Sequence, residues 1–137
     1  MKKFLAFNLI LLFLYAYKSP VRPLFDKNEG VYTLTEGDAS SGKFYTYTAF
    51  NDCDFYSLKN VCGQSLKTRN EKYIEKFLEE YDCVKVFEES VDGLKINYYY
   101  SHKICGYRSI NGKKVNVQTS FDGIIHTVGS PLIYGGF

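Results

Sequence analysis

Between residues 68 and 101 the spacing of apolar positions switches from the period of a helix to that of strands. Tyr73, Ile74, Phe77, Leu78 and Tyr81 recur at i, i+1, i+4, i+5 and i+8, and Lys72, Glu75, Lys76, Glu79 and Glu80 fill the other side. That is one apolar stripe on a 3.6-residue helix. Thr68 with Glu71 fits a capping box, and Asn70 is a rival N-cap one turn tighter. The charges give the helix little local support, because Glu71–Glu75, Glu75–Glu79 and Lys72–Lys76 are like pairs at i,i+4. Its stability must come from burying the stripe, about 1.5–3 kcal/mol for each large side chain, and that requires a sheet.

The next stretch is a hairpin with two available registers. A two-residue Asp92-Gly93 turn pairs Phe87 with Tyr98 but puts Lys85 and Glu89 on the Phe87 face. A three-residue loop, with Gly93 left-handed in a bulge, pairs Val86 with Tyr98 and Val84 with Tyr100. A one-residue slip turns every side chain over. The three-residue loop is preferred here, because it places Val84, Val86, Ile96, Tyr98 and Tyr100 on one face toward the helix. Its cost is Phe87 outward and Glu88 inward.

Elsewhere, 31–35 and 44–50 are rich in β-branched and aromatic residues, and a short strand is expected near 61–66. Asn111-Gly112 joins 107–110 to 113–120 as a two-residue hairpin. A similar Asp122-Gly123 turn would set Val115, Val117, Thr119 and Phe121 on the face of Ile124, His126 and Val128. The expected fold is α+β: one main helix on a curved antiparallel sheet, ordered as helix and then four-strand meander, preceded by N-terminal strands.

The N-terminus changes the picture of location. Met-Lys-Lys precedes an apolar run over 4–17 broken only by Asn8, the pattern of an export signal and too short for a comfortable span. The division is therefore 1–19 as signal or short membrane anchor, 20–30 as linker, and 31–137 as a single domain. The net charge of +2 falls to zero once Lys2 and Lys3 are set aside. A near-neutral body argues against a nucleic-acid surface, which needs clustered Lys and Arg.

Cys53, Cys62, Cys83 and Cys105 all lie in the exported part, so two disulfides are allowed in three connectivities, the most local being Cys53–Cys62 with Cys83–Cys105. Free thiols are the alternative. His102 and Cys105 make one H-x-x-C pair, where a zinc site normally shows two pairs. His126 lies among core-face positions and reads as a half-buried histidine. No catalytic motif, phosphate loop, metal site or cofactor site emerges, and the chain reads as a non-enzyme. The rival reading is a small exported hydrolase in which one of the thiols meets one of the histidines.

In the preferred register Lys85, Phe87, Lys95, Asn97 and Tyr99 face away from the helix. Phe87 and Tyr99, rimmed by Lys95 and Asn97, would form a small contact surface for an envelope protein or a glycan. The thirteen tyrosines, Tyr98-Tyr99-Tyr100 among them, otherwise read as good strand formers with half-buried rings.

V-C-G-Q-S at 61–65, V-K-V-F-E-E at 84–89, Y-Y-Y-S at 98–101, N-G-K-K-V-N-V-Q at 111–118 and V-G-S-P-L-I-Y-G-G-F at 128–137 resemble the YwmB-like proteins. These are exported proteins of Gram-positive, often spore-forming, bacteria with a TATA-box-binding-protein-like fold. The resemblance covers about 61–137. It implies a helix on a curved antiparallel sheet and a role in the envelope, with a link to sporulation, and it brings no reaction or catalytic residue. The four cysteines and His126 depart from that family's pattern.

Overall fold

Val31–Asp38 (β1), Lys43–Ala49 (β2) and Val61–Thr68 (β3) precede the helix Glu71–Glu80 (α1). After it come Val84–Val91 (β4), Leu94–Tyr100 (β5), Arg108–Ile110 (β6), Lys113–Val115 (β7), Val117–Phe121 (β8) and His126–Ser130 (β9). The computed structural model describes residues 22–38, 43–49 and 61–134. Seven strands form one antiparallel sheet in the order β2-β1-β3-β9-β8-β5-β4, and β6-β7 form a separate two-stranded ribbon. The fold is thus α+β, with the predicted meander present as β4, β5, β8 and β9 and the Asn111-Gly112 hairpin inserted between β5 and β8.

Helix α1 starts at Asn70, whose Oδ1 accepts the Tyr73 amide at 3.2 Å. The Thr68–Glu71 capping box is not formed. Thr68 is the last residue of β3, paired with His126, and its hydroxyl instead accepts the Asn70 amide at 3.0 Å. At the other end Asp82 takes a left-handed φ of 48°, and the Cys83 amide reaches back to the Leu78 carbonyl at 2.9 Å. That closure satisfies carbonyls the helix leaves free. Lys103 Nζ completes the end, donating to the Glu80 carbonyl at 3.2 Å and sitting 2.9 Å from the Asp82 carboxylate. A cation there complements the helix dipole.

The predicted stripe is the buried one. Ile74 and Phe77 are buried, with Tyr73, Leu78 and Tyr81 packed around them. They meet Tyr32 and Leu34 of β1, Leu66 of β3, Val128 of β9, Val117 of β8 and Ile104. Alternation along these strands brings those side chains to one face of the sheet.

The β4–β5 hairpin obeys both registers in turn. Val91↔Leu94, Glu89↔Ile96 and Phe87↔Tyr98 follow the two-residue turn, with Asp92 and Gly93 left-handed at φ 50° and 79°. A bulge between Lys85 and Phe87 then absorbs Val86, so Lys85↔Tyr99 and Val84↔Tyr100 follow the other register. The expectation of a single register is therefore corrected, since one extra residue lets a strand change phase within its length. Ile96 and Tyr98 consequently face away from α1, Tyr99 packs toward it, and Val84 is 68% exposed.

A second core fills the far face. Ile96, Tyr98 and Val115 are buried there, with Phe87, Leu94, Ile110 and Leu132 against them. The β6–β7 ribbon and residues 131–134 supply this cover. Gly63 admits the Tyr134 ring, since a Cβ at that position would lie 2.6 Å from it; Gly129 admits Ile133 in the same way, at 2.7 Å. The Ile133 amide donates to Gln118 Oε1 at 2.7 Å. The far face is thus partly lined with packed side chains where an open surface was expected.

Asn116, between β7 and β8, ties this arrangement together. Fully buried, it accepts the Ser101 amide at 2.8 Å and donates through Nδ2 to the Ser101, Ile104 and Gly106 carbonyls at 2.7, 3.1 and 3.2 Å. One amide side chain therefore fixes the 101–106 loop.

Between β8 and β9 the expected two-residue turn is a four-residue loop. Phe121 pairs with His126, and the Asp122 carboxylate accepts the Ile124 and Ile125 amides at 2.9 and 2.7 Å. The two-residue shift keeps Val117, Thr119 and Phe121 on the face of His126 and Val128, as expected. The break at Asn116, however, puts Val115 in the far-face core and the longer loop leaves Ile124 exposed, so neither joins that face.

Candidate functional site

Residues 20–30 read as a linker, but the structure folds the described part, 22–30, against the helix. Phe25 is buried, 4.9 Å from the Phe77 ring and 5.8 Å from Tyr32. The Leu24 amide donates to Gln64 Oε1 at 3.0 Å and to the Tyr32 hydroxyl at 3.2 Å, and Gln64 Nε2 donates to the Arg22 carbonyl at 3.3 Å. Tyr32 also hydrogen-bonds Gln64 through its hydroxyl. Burial pushes the Tyr32 phenol up, so it stays neutral beside that amide. Asp26 caps a 3-10 turn over Lys27–Glu29, and its own amide donates to the Tyr73 hydroxyl at 2.7 Å. The Tyr73 phenol is pushed up by burial.

Between this segment and α1 lies a groove of about 190 Å³. Tyr73, Phe77 and Tyr81 form one wall, with Phe77 and Tyr81 rings 4.7 Å apart. Asp26, Glu29, Glu80 and Lys76 supply its charges. Three carboxylates against one ammonium leave the groove acidic. Asn70 Nδ2 holds Glu29 Oε2 at 3.0 Å, while the Glu80 carboxylate has no ion pair among the described residues. The aromatic wall falls on positions of the predicted stripe. The opposite wall, with Asp26 and Glu29, was not found from the sequence; an apolar Leu24-Phe25 pair between charged neighbours was its only signal.

The predicted contact surface is split by the two-residue turn register, which sets Phe87 opposite Tyr98. Phe87 lies on the far face, stacked on Tyr98 at 4.2 Å and 17°, while Tyr99, Asn97 and Lys95 project from the face that carries α1. Phe87 and Tyr99 therefore do not adjoin. Asn97 is half-buried with its Oδ1 unpartnered among the described residues, and Lys95 is exposed.

Cys62, Cys83 and Cys105 are free thiols, so neither local disulfide is present at these residues, and Cys53 lies outside the described ones. Cys62 donates to the Thr35 carbonyl at 3.4 Å, and burial pushes its thiol up. Cys83, beside Ser101 and Asp82, is pushed up to about 11, mainly by burial. His126 stacks on Phe121 at 4.2 Å and 13°, and His102 is exposed. Among the described residues no hydrogen bond joins a thiol to an imidazole, and no group of three or more His, Cys, Asp or Glu is placed to hold a metal. No helix among them is long and apolar enough to cross a membrane; the expected export segment, 1–19, lies outside them.

No family model matches this chain, and no curated protein or solved structure matches it.

Proposed function

We propose that this chain is an exported cell-envelope protein that binds a protein or glycan partner outside the membrane without catalysing a reaction. The observation that carries the binding reading is the acidic, aromatic-walled groove between residues 24–29 and α1, whose outer wall is fixed by hydrogen bonds from Leu24 to Gln64, Asp26 to Tyr73 and Glu29 to Asn70. Concave sites with an apolar wall and a few converging polar groups are where ligands bind. Export rests on the basic and then apolar pattern of residues 1–17. Kinship with the YwmB-like proteins and their TATA-box-binding-protein-like fold rests on the motifs quoted above, and a single helix on an antiparallel sheet is compatible with it.

The test uses the full chain in intact cells, with a photoreactive residue at Lys76 in the groove or, as control, at Lys113 in the β6–β7 turn. Irradiation should give an extracytoplasmic adduct from position 76 alone. A membrane-impermeant thiol reagent should also label exposed Cys105 without lysis. Adducts at both positions, or none at 76, would remove the groove as the binding site, and labelling only after lysis would sink export.

A further inference from the structure

We infer that the groove takes the basic side chain of a protein partner, a lysine or arginine inserted end-on between residues 24–29 and α1. This rests on the binding reading above and names the chemistry of what is bound. Size comes first. Small-molecule pockets run roughly 300–1,000 Å³, whereas this groove holds about 190 Å³, room for one long side chain and little more. Charge comes second. Asp26, Glu29 and Glu80 face the space with Lys76 as the one opposing cation, so a cation gains and a carboxylate is repelled. The wall decides the shape of the cation. Tyr73 and Tyr81, half-buried on either side of the buried Phe77 ring, present aromatic surface along the groove, which suits an aliphatic stem and attracts a terminal positive charge.

The positions of the acids fit the same occupant. Asp26 is held by its capping bond to the Asn28 amide, and Glu29 by Asn70, so two of the three carboxylates are fixed before anything binds. Preorganised acceptors lose less entropy on binding than free ones. Glu80, on the last turn of α1, is the carboxylate left to close on an incoming charge.

The experiment is a titration of the full chain with three capped tripeptides, glycine-X-glycine with X lysine, norleucine or glutamate, followed by NMR at the rings of Tyr73, Phe77 and Tyr81. The lysine peptide should shift those rings with affinity about tenfold above the norleucine peptide, and the glutamate peptide should leave them unmoved. Glu80→Gln, an exposed change that spares the fold, should weaken lysine binding about threefold, and Lys76→Gln should strengthen it about twofold. The opposed signs separate charge recognition from general damage. Equal affinity for lysine and norleucine would overturn the inference while leaving a binding groove. Rings unmoved by any peptide and by an N-acetylglucosamine oligomer would remove both. An equal response to a neutral N-acetylglucosamine oligomer would overturn it in favour of a glycan.

Discussion

Phe87 lies flat on Tyr98, centroids 4.2 Å apart, although three residues earlier Val84 stands opposite Tyr100 in the other register. The two-residue turn sets the stack, and the Val86 bulge beyond it lets Val84 reach the other register. A double-mutant cycle on Phe87→Ala and Tyr98→Ala should give a coupling of about 0.5–1.5 kcal/mol beyond area lost. Additive effects in urea unfolding would show that the rings do not meet in solution.

The helix stripe gives a second expectation. Phe77→Ala removes a buried ring from the contact of α1 with Phe25 and should cost about 3–5 kcal/mol. Glu75→Ala, exposed on the outer side, should change stability by no more than about 0.5 kcal/mol. Comparable losses from the two would mean that α1 is rotated.

Asn116→Ala deletes four hydrogen bonds at once and strands the Ser101 amide and the Ile104 and Gly106 carbonyls, while the Ser101 carbonyl keeps the Ile104 amide at 3.4 Å. The expected loss is about 3–5 kcal/mol, since each buried group left unpaired costs roughly 1–3 kcal/mol and the loop relaxes part of it. Hydrogen exchange should quicken first over 101–106. Unchanged protection there would sever Asn116 from the loop.

Tyr98 supplies a pH dependence. Burial and then its hydrogen bond to Glu89 push the phenol from 10 up to about 12. A proton held more tightly in the folded chain gives stability that is complete below pH 10 and lost as pH rises through about 12. The urea midpoint should therefore fall across that window, and less steeply in Tyr98→Phe. Parallel curves for the two proteins would exclude this phenol as the cause.

Cys83 should alkylate slowly at pH 8, because burial and the neighbouring Asp82 carboxylate push its thiol from 9.0 up to about 11. Exposed Cys105 should react well ahead of it. Asp82→Asn removes the nearby negative charge and should speed Cys83 alone. Equal rates at the two thiols would contradict the burial of Cys83.

What could be read in advance divides by range along the chain. The stripe of α1 and the Asn111-Gly112 turn are local signals, complete within a few residues. Bulging at Val86 is not, because V-K-V-F alternates as well with it as without it, and only cross-strand partners decide. Asn116 sits in K-V-N-V as one more polar position of a strand, and its four partners lie 10 to 15 residues away. The groove divides the same way. Its helical wall followed from periodicity, whereas Leu24 and Phe25, in V-R-P-L-F-D-K, become core only through Tyr32, Gln64 and Phe77.

The Val86 bulge reaches beyond the hairpin that contains it. Strand β4 lies at one edge of its sheet, opposite the β2 edge, and is exposed over most of its length, which in a flat, regular strand invites a second copy to add on. A copy arriving antiparallel would find the ladder broken at Val86. On the regular run that remains, Glu88 and Glu89 of each molecule would be pressed against their counterparts, like charge to like. The irregularity that lets the strand change register thus also makes β4 a poor template for growth. At high concentration the intact protein should not associate through β4, and straightening the strand by deleting Val86 should make it self-associate there.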